Sequence, residues 1–144
     1  METATTGRVT TEAIVENVED QWAARRGLIA HDAVRRVVIP DALVDTGATM
    51  MSLPTLIIQQ LGLTRVATKP VIASTGPTTV GVYEPVRLTI MGRSCLLEVL
   101  EVPDGVPALV GQVPLEQLDF VVDPQGRRLI GNPAHGGIHT CEMY

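Results

Sequence analysis

Residues 42–54 read ALVDTGATMMSLP. An apolar run, Ala42-Leu43-Val44, delivers an acid, Asp45, directly into Thr46-Gly47-Ala48. A carboxylate at the end of a buried strand is costly unless something pairs with it or uses it. Val37-Val38-Ile39 extends the run backwards, so the segment 35–45 reads as one strand. Gly47 supplies the backbone freedom for a sharp exit from the sheet. The Thr46 hydroxyl can bond nearby backbone and fix that turn. Asp45 is thereby an acid held rigidly at a sheet's end, which is what a general base requires. The bland reading is a turn Asp that caps local N–H groups.

Working outward, Gly and Pro recur from residue 40 to 137, with short Val/Leu/Ile/Thr runs between them. That punctuation predicts many short strands and tight turns, hence a mainly β chain. The expected strands are 8–18, 35–45, 69–74, 79–91, 94–102, 108–111, 118–123 and 127–131. Met91-Gly92-Arg93 is placed as a hairpin turn and 103–107 (PDGVP) as a loop. Three short helices are expected. One covers SLPTLIIQQLGL, with Ser52 as N-cap, Pro54 in the first turn and Gly62 as the stop. The others lie in 113–118 and in 18–28, around Trp22.

At 144 residues the chain suits one domain with its own core. A net charge of −5 argues against nucleic acid. The paired arginines 25–26, 35–36 and 127–128 read as solvated surface rather than phosphate ligands. No basic segment leading into an apolar stretch marks the start, and no apolar run nears the ~20 residues of a spanning helix. The expectation is a cytoplasmic protein away from membranes, with Cys95 and Cys141 as reduced thiols.

Two facing carboxylates sharing one proton do more than one. One activates a water while the other protonates the carbonyl under attack. Charges about 3 Å apart cannot both ionise easily, so the pair titrates as a unit. ALVDTGATMMSLP resembles the active-site segment of retroviral-type (retropepsin-like) aspartic proteases. The resemblance extends from about residue 35 to 131. It takes in the element ending Leu61-Gly62-Leu63, a flap-like VIASTGPTTVGVY, the strands of VRLTIMGRSCLLEVLEV and the run ALVGQVPLEQLDFVVDPQGRRL. It implies a closed, barrel-like, mainly β fold with one or two short helices. Residues 1–34 form an N-terminal extension of strand plus helix packing on the domain, and 132–144 a loose tail.

Only one Asp-Thr-Gly occurs, in a chain about half the length of pepsin-like relatives. The resemblance therefore implies a homodimer in which Asp45 of each copy meets its twin on the two-fold axis. It assigns Asp45 to catalysis and Thr46, Gly47 and Ala48 to the active-site loop. Ser74, Thr75, Gly76 and Pro77 become a flap over an extended peptide or protein substrate. Leu109, Val110 and Gly111 become structure beside the site, Gly111 chiefly through close packing. Ala48 lacks the hydroxyl that often bonds the carboxylate in pepsin-like relatives, which implies a dyad keeping its proton nearer neutral pH.

Gln112 stands where many retroviral members carry Arg, and the flap has Ser-Thr-Gly-Pro where they often have Asn-Gly or Asp-Gly. The likeness is thus closer to cellular and bacterial single-domain members. The implied activity is an aspartic endopeptidase without cofactor or metal. The alternative is a protease-like dimeric module that binds peptides with little or no turnover. Asp104, Asp119 and Asp123 read as turn and strand-end acids. His135, His139 and Cys141 do not make a closed zinc set.

Overall fold

The computed structural model describes residues 8–139. Among these residues nine strands and three short helices follow one another. The order is β1 (Val9–Asn17), α1 (Val18–Arg25), a 3-10 turn (His31–Ala33), β2 (Arg36–Val44), β3 (Met51–Pro54) and α2 (Thr55–Leu61). Then come β4 (Arg65–Ala73), β5 (Gly76–Ile90), β6 (Arg93–Val102), β7 (Leu109–Val110), α3 (Gln112–Leu118), β8 (Phe120–Asp123), β9 (Arg128–Gly131) and a 3-10 turn (Pro133–His135).

Six strands close a ring in the order β1-β2-β7-β3-β6-β5, and β5 pairs back onto β1. The β2–β7 and β3–β6 pairs are parallel; the others are antiparallel. Closure leaves the ring without an open edge. Alternate side chains point inward, so Val15, Leu53, Leu88, Val99 and Val110 are fully buried together. Two ladder irregularities, opposite Thr11/Ala13 and between Tyr83 and Val86, coincide with Pro40 and Pro85. Proline has no N–H to give a ladder, so the strands bulge there.

The chain is mainly β, as its punctuation predicts, and its barrel is closed, as the resemblance implies. The 91–93 turn is present: Ile90 faces Arg93, and Met91 and Gly92 both take positive φ (47° and 81°). That is the primed turn whose twist matches a hairpin. β4 starts at Arg65, earlier than the expected 69, and pairs with β5 alone. The two form an exposed arm whose tip turns at Ser74-Thr75. The N-terminal segment does more than pack on the domain, because β1 is a stave of the barrel.

One helix start differs from expectation. Ser52 is not a cap; it lies in β3, and Pro54 is the extended residue before the helix. No side chain of α2's own leading residues caps it. Asp104, from the β6–β7 loop, accepts the Leu56 N–H at 2.9 Å. Gly62 ends the helix at φ 64°, as expected. The tail is also better anchored than its composition suggests. Asn132 Nδ2 donates to Asp119 Oδ1, and His135 Nδ1 lies 2.8 and 2.9 Å from the two Asp119 oxygens. Arg93 Nη1 donates to the carbonyls of Leu118 and Asp119, and Nη2 to that of Gly137. Residues 140–144, with Cys141, lie outside the described residues.

Candidate active site

β2 ends at Val44 and the chain must reach β3 at Met51. β7 lies between those two strands, so residues 45–50 cross over its end. Asp45 begins the crossing, and its N–H donates to Val110 O at 3.0 Å, which extends the β2–β7 ladder by one bond. The chain then turns, with Ala48 N–H donating back to Asp45 O at 3.1 Å. Gly47 N–H donates to Asp45 Oδ1 at 2.9 Å. One carboxylate oxygen is thus held by its own turn, while Oδ2 makes no hydrogen bond among the described residues. Asp45 is half-buried; Thr46 and Gly47 are exposed.

Across from this loop, α3 begins without a side-chain cap. Its leading amides find acceptors in the Asp45 loop instead: Gln112 N–H donates to Ala48 O at 2.8 Å and Val113 N–H to Thr49 O at 2.9 Å. For this the two backbones must lie very close, and Gly111 allows it. A Cβ there would run into Met50 O, and would meet Ala48 O at 2.7 Å and Thr49 C at 2.8 Å. Gly111 sits at φ −90°, ψ −170°, so clearance rather than conformation demands glycine. This is the close packing expected of it from sequence.

The residues singled out from sequence separate into two groups. Asp45 is bonded to Val110 and Ala48 to Gln112 at the start of α3, and Thr46 and Gly47 lie on the turn between them. Ser74, Thr75, Gly76 and Pro77 form the tip of the β4–β5 arm and share no hydrogen bond with the first group among the described residues.

The other acids are engaged elsewhere. Asp104 caps α2, and Asp123 accepts the Gln125 N–H. Asp119 closes α3 in a left-handed conformation and holds His135. His139 turns to the Gln117 carbonyl, so the two histidines serve different partners. No cluster of three metal-capable side chains occurs among the described residues. The site therefore offers one half-exposed carboxylate with one fixed and one uncommitted oxygen. Such a group can accept a proton from water. No helix among the described residues is long and apolar enough to cross a membrane.

Neither family models nor curated protein sequences match this chain.

Arg25 and Arg36, read from sequence as solvated surface, and Arg87, not singled out there, line one cavity on the barrel's outer face. Arg25 and Arg36 carry only the signal of basic pairing, which solvated surfaces share, and Arg87 stands alone between Val86 and Leu88.

Proposed function

We propose that this protein is a retropepsin-like aspartic endopeptidase that works as a homodimer. What carries the proposal is Asp45: a carboxylate fixed at one oxygen, uncommitted at the other, on a loop clamped by Val110, Gly111 and α3. A lone acid of this kind lacks a partner to polarise a carbonyl. A second copy related by a two-fold axis supplies it. The two Asp45 groups then share one proton. The ionised one takes a proton from the water as it attacks the peptide carbonyl. The protonated one gives its proton to the carbonyl oxygen. Collapse of the tetrahedral intermediate sends a proton to the departing amine, with no covalent enzyme intermediate.

The exposed Thr46 hydroxyl has no partner among the described residues and is available for a bond across the axis. The exposed arm tip at 74–77 is in keeping with a flap that closes on an extended substrate. The test is cleavage of an unbiased peptide mixture from acid to neutral pH, alongside sedimentation. Wild-type dimers should cleave, and Asp45→Asn dimers should lose about a thousandfold or more. A strictly monomeric protein that cleaves would refute the shared dyad. A folded dimer that cleaves nothing would leave the peptide-binding module.

A further inference from the structure

At the end of β2 away from Asp45, four strands set a row of side chains on the outer barrel face. Glu16 pairs with Arg36 across β1–β2 and with Arg87 across β1–β5, and Arg87 pairs with Leu96 across β5–β6. The last turn of α1, with Arg25, and Val34 after the 3-10 turn form the facing wall. Between them is a cavity of about 370 Å³, within the size range of small-ligand sites.

Four other arginines have side-chain partners. Arg35 pairs with Asp20, Arg128 approaches Asp123, Arg93 bonds three carbonyls and Arg26 stacks on Trp22. The side chains of Arg25, Arg36 and Arg87 have no hydrogen bond or ion pair among the described residues, yet all three line this one cavity. Among the described residues, Glu16 is the only carboxylate lining it. Three guanidiniums against one carboxylate leave a surplus of two positive charges, in a chain of net charge −5. Leu96, large and half-exposed, adds an apolar surface to the same cavity.

We propose that this cavity binds a small organic phosphate monoester. A phosphate monoester is largely dianionic at neutral pH, which matches the surplus of two. Its oxygens fit the planar fork of a guanidinium bidentately. The organic part lies against Val34 and Leu96. The site is independent of the Asp45 reading.

The test is calorimetric titration with phenyl phosphate, with amide chemical shifts as the site readout. Benzyl alcohol serves as the uncharged control. Phosphatidylcholine vesicles doped with phosphatidic acid test a lipid source of the same headgroup. Saturable binding of phenyl phosphate is expected, with shifts centred on Glu16, Arg36 and Arg87. Arg36→Gln/Arg87→Gln should weaken it at least tenfold while melting like wild type. Glu16→Gln removes the one opposing charge and should tighten binding severalfold, a gain that misfolding cannot mimic. Four results would overturn the proposal: phenyl phosphate binding no better than benzyl alcohol, an unchanged affinity in the folded double variant, no gain with Glu16→Gln, or binding to the vesicles alone.

Discussion

Gly111→Ala adds one methyl group where backbone stands on the other side. The new carbon would run into Met50 O and lie 2.7 Å from Ala48 O and 2.8 Å from Thr49 C. Comfortable carbon contacts need about 3.5 Å. None of the three atoms belongs to a side chain that can rotate away, so the 45–50 loop must retreat by roughly 0.5–1 Å. That retreat stretches Gln112 N–H to Ala48 O and Val113 N–H to Thr49 O, now 2.8 and 2.9 Å, toward the limit of hydrogen bonding. Overpacking costs about 1–3 kcal/mol, and two weakened bonds about 1 kcal/mol each. The expected loss is about 3–5 kcal/mol. Urea unfolding followed by circular dichroism should show the midpoint falling by more than ~1 M, given a slope of about 1–3 kcal/mol per M. Gly47→Ala is the control, since its Cβ meets no backbone and one side-chain atom, Asp45 Oδ1, at 3.2 Å, a contact relieved by a shift of a few tenths of an ångström. It should stay within about 0.5 kcal/mol of wild type. A Gly111→Ala midpoint equal to wild type, or an equal loss from Gly47→Ala, would refute the clamp.

Asn17 is buried, accepts the Asp20 N–H at 2.9 Å as the cap of α1, and donates to Leu61 O at 2.7 Å. Asn17→Ala should cost about 2–4 kcal/mol in chemical denaturation, and a loss below ~0.5 kcal/mol would contradict both roles. The hydrogen bonds from Arg35 hold the Asp20 carboxyl below its ordinary range. A depressed folded-state value stabilises above the unfolded value of ~3.9, and that stability is lost as pH falls through the folded value. With Arg35 half-exposed to screening solvent, Asp20→Asn should cost about 0.5–1 kcal/mol at neutral pH. The gap from wild type should close in strong acid, and a gap that widens there would reverse the assignment. Burial pushes the Cys95 thiol up to about 11. In a Cys141→Ser background, iodoacetamide at neutral pH should label the folded protein about a hundredfold more slowly than the unfolded chain; equal rates would show the thiol to be open.

Most strands were legible because Gly and Pro bracket apolar runs and little else in the chain competes with that signal. β3 was not. Met51–Pro54 is four residues long, and Ser52 with Pro54 imitates a helix start. Only the neighbouring strands β6 and β7 make it a strand, and a local pattern does not carry them. The Asp45 loop could be read from composition, since Asp, Thr and Gly each supply something a tight turn needs. Its clamp by α3 could not, because Gln112 and Val113 act through their main chain. The Asp119–His135 contact joins a helix end to a Gly-rich tail that carries no periodicity. The cavity arginines come from α1, β2 and β5, and only barrel closure gathers them.

That closure also sets a timetable for biosynthesis. β1 leaves the ribosome first and can take β2 as a neighbour early. Its second partner is β5, where Ile14 faces Thr89. At ~5–20 residues per second, on the order of 4–15 s pass before translation reaches that point. Throughout the interval one flank of β1 is an unpaired edge carrying Ile14 and Val15, open to any similar edge on a neighbouring nascent chain. The β1–β5 seam therefore waits until β5 has been made, with β7 still to follow between β2 and β3, and that wait exposes copies on one polysome to pairing with each other.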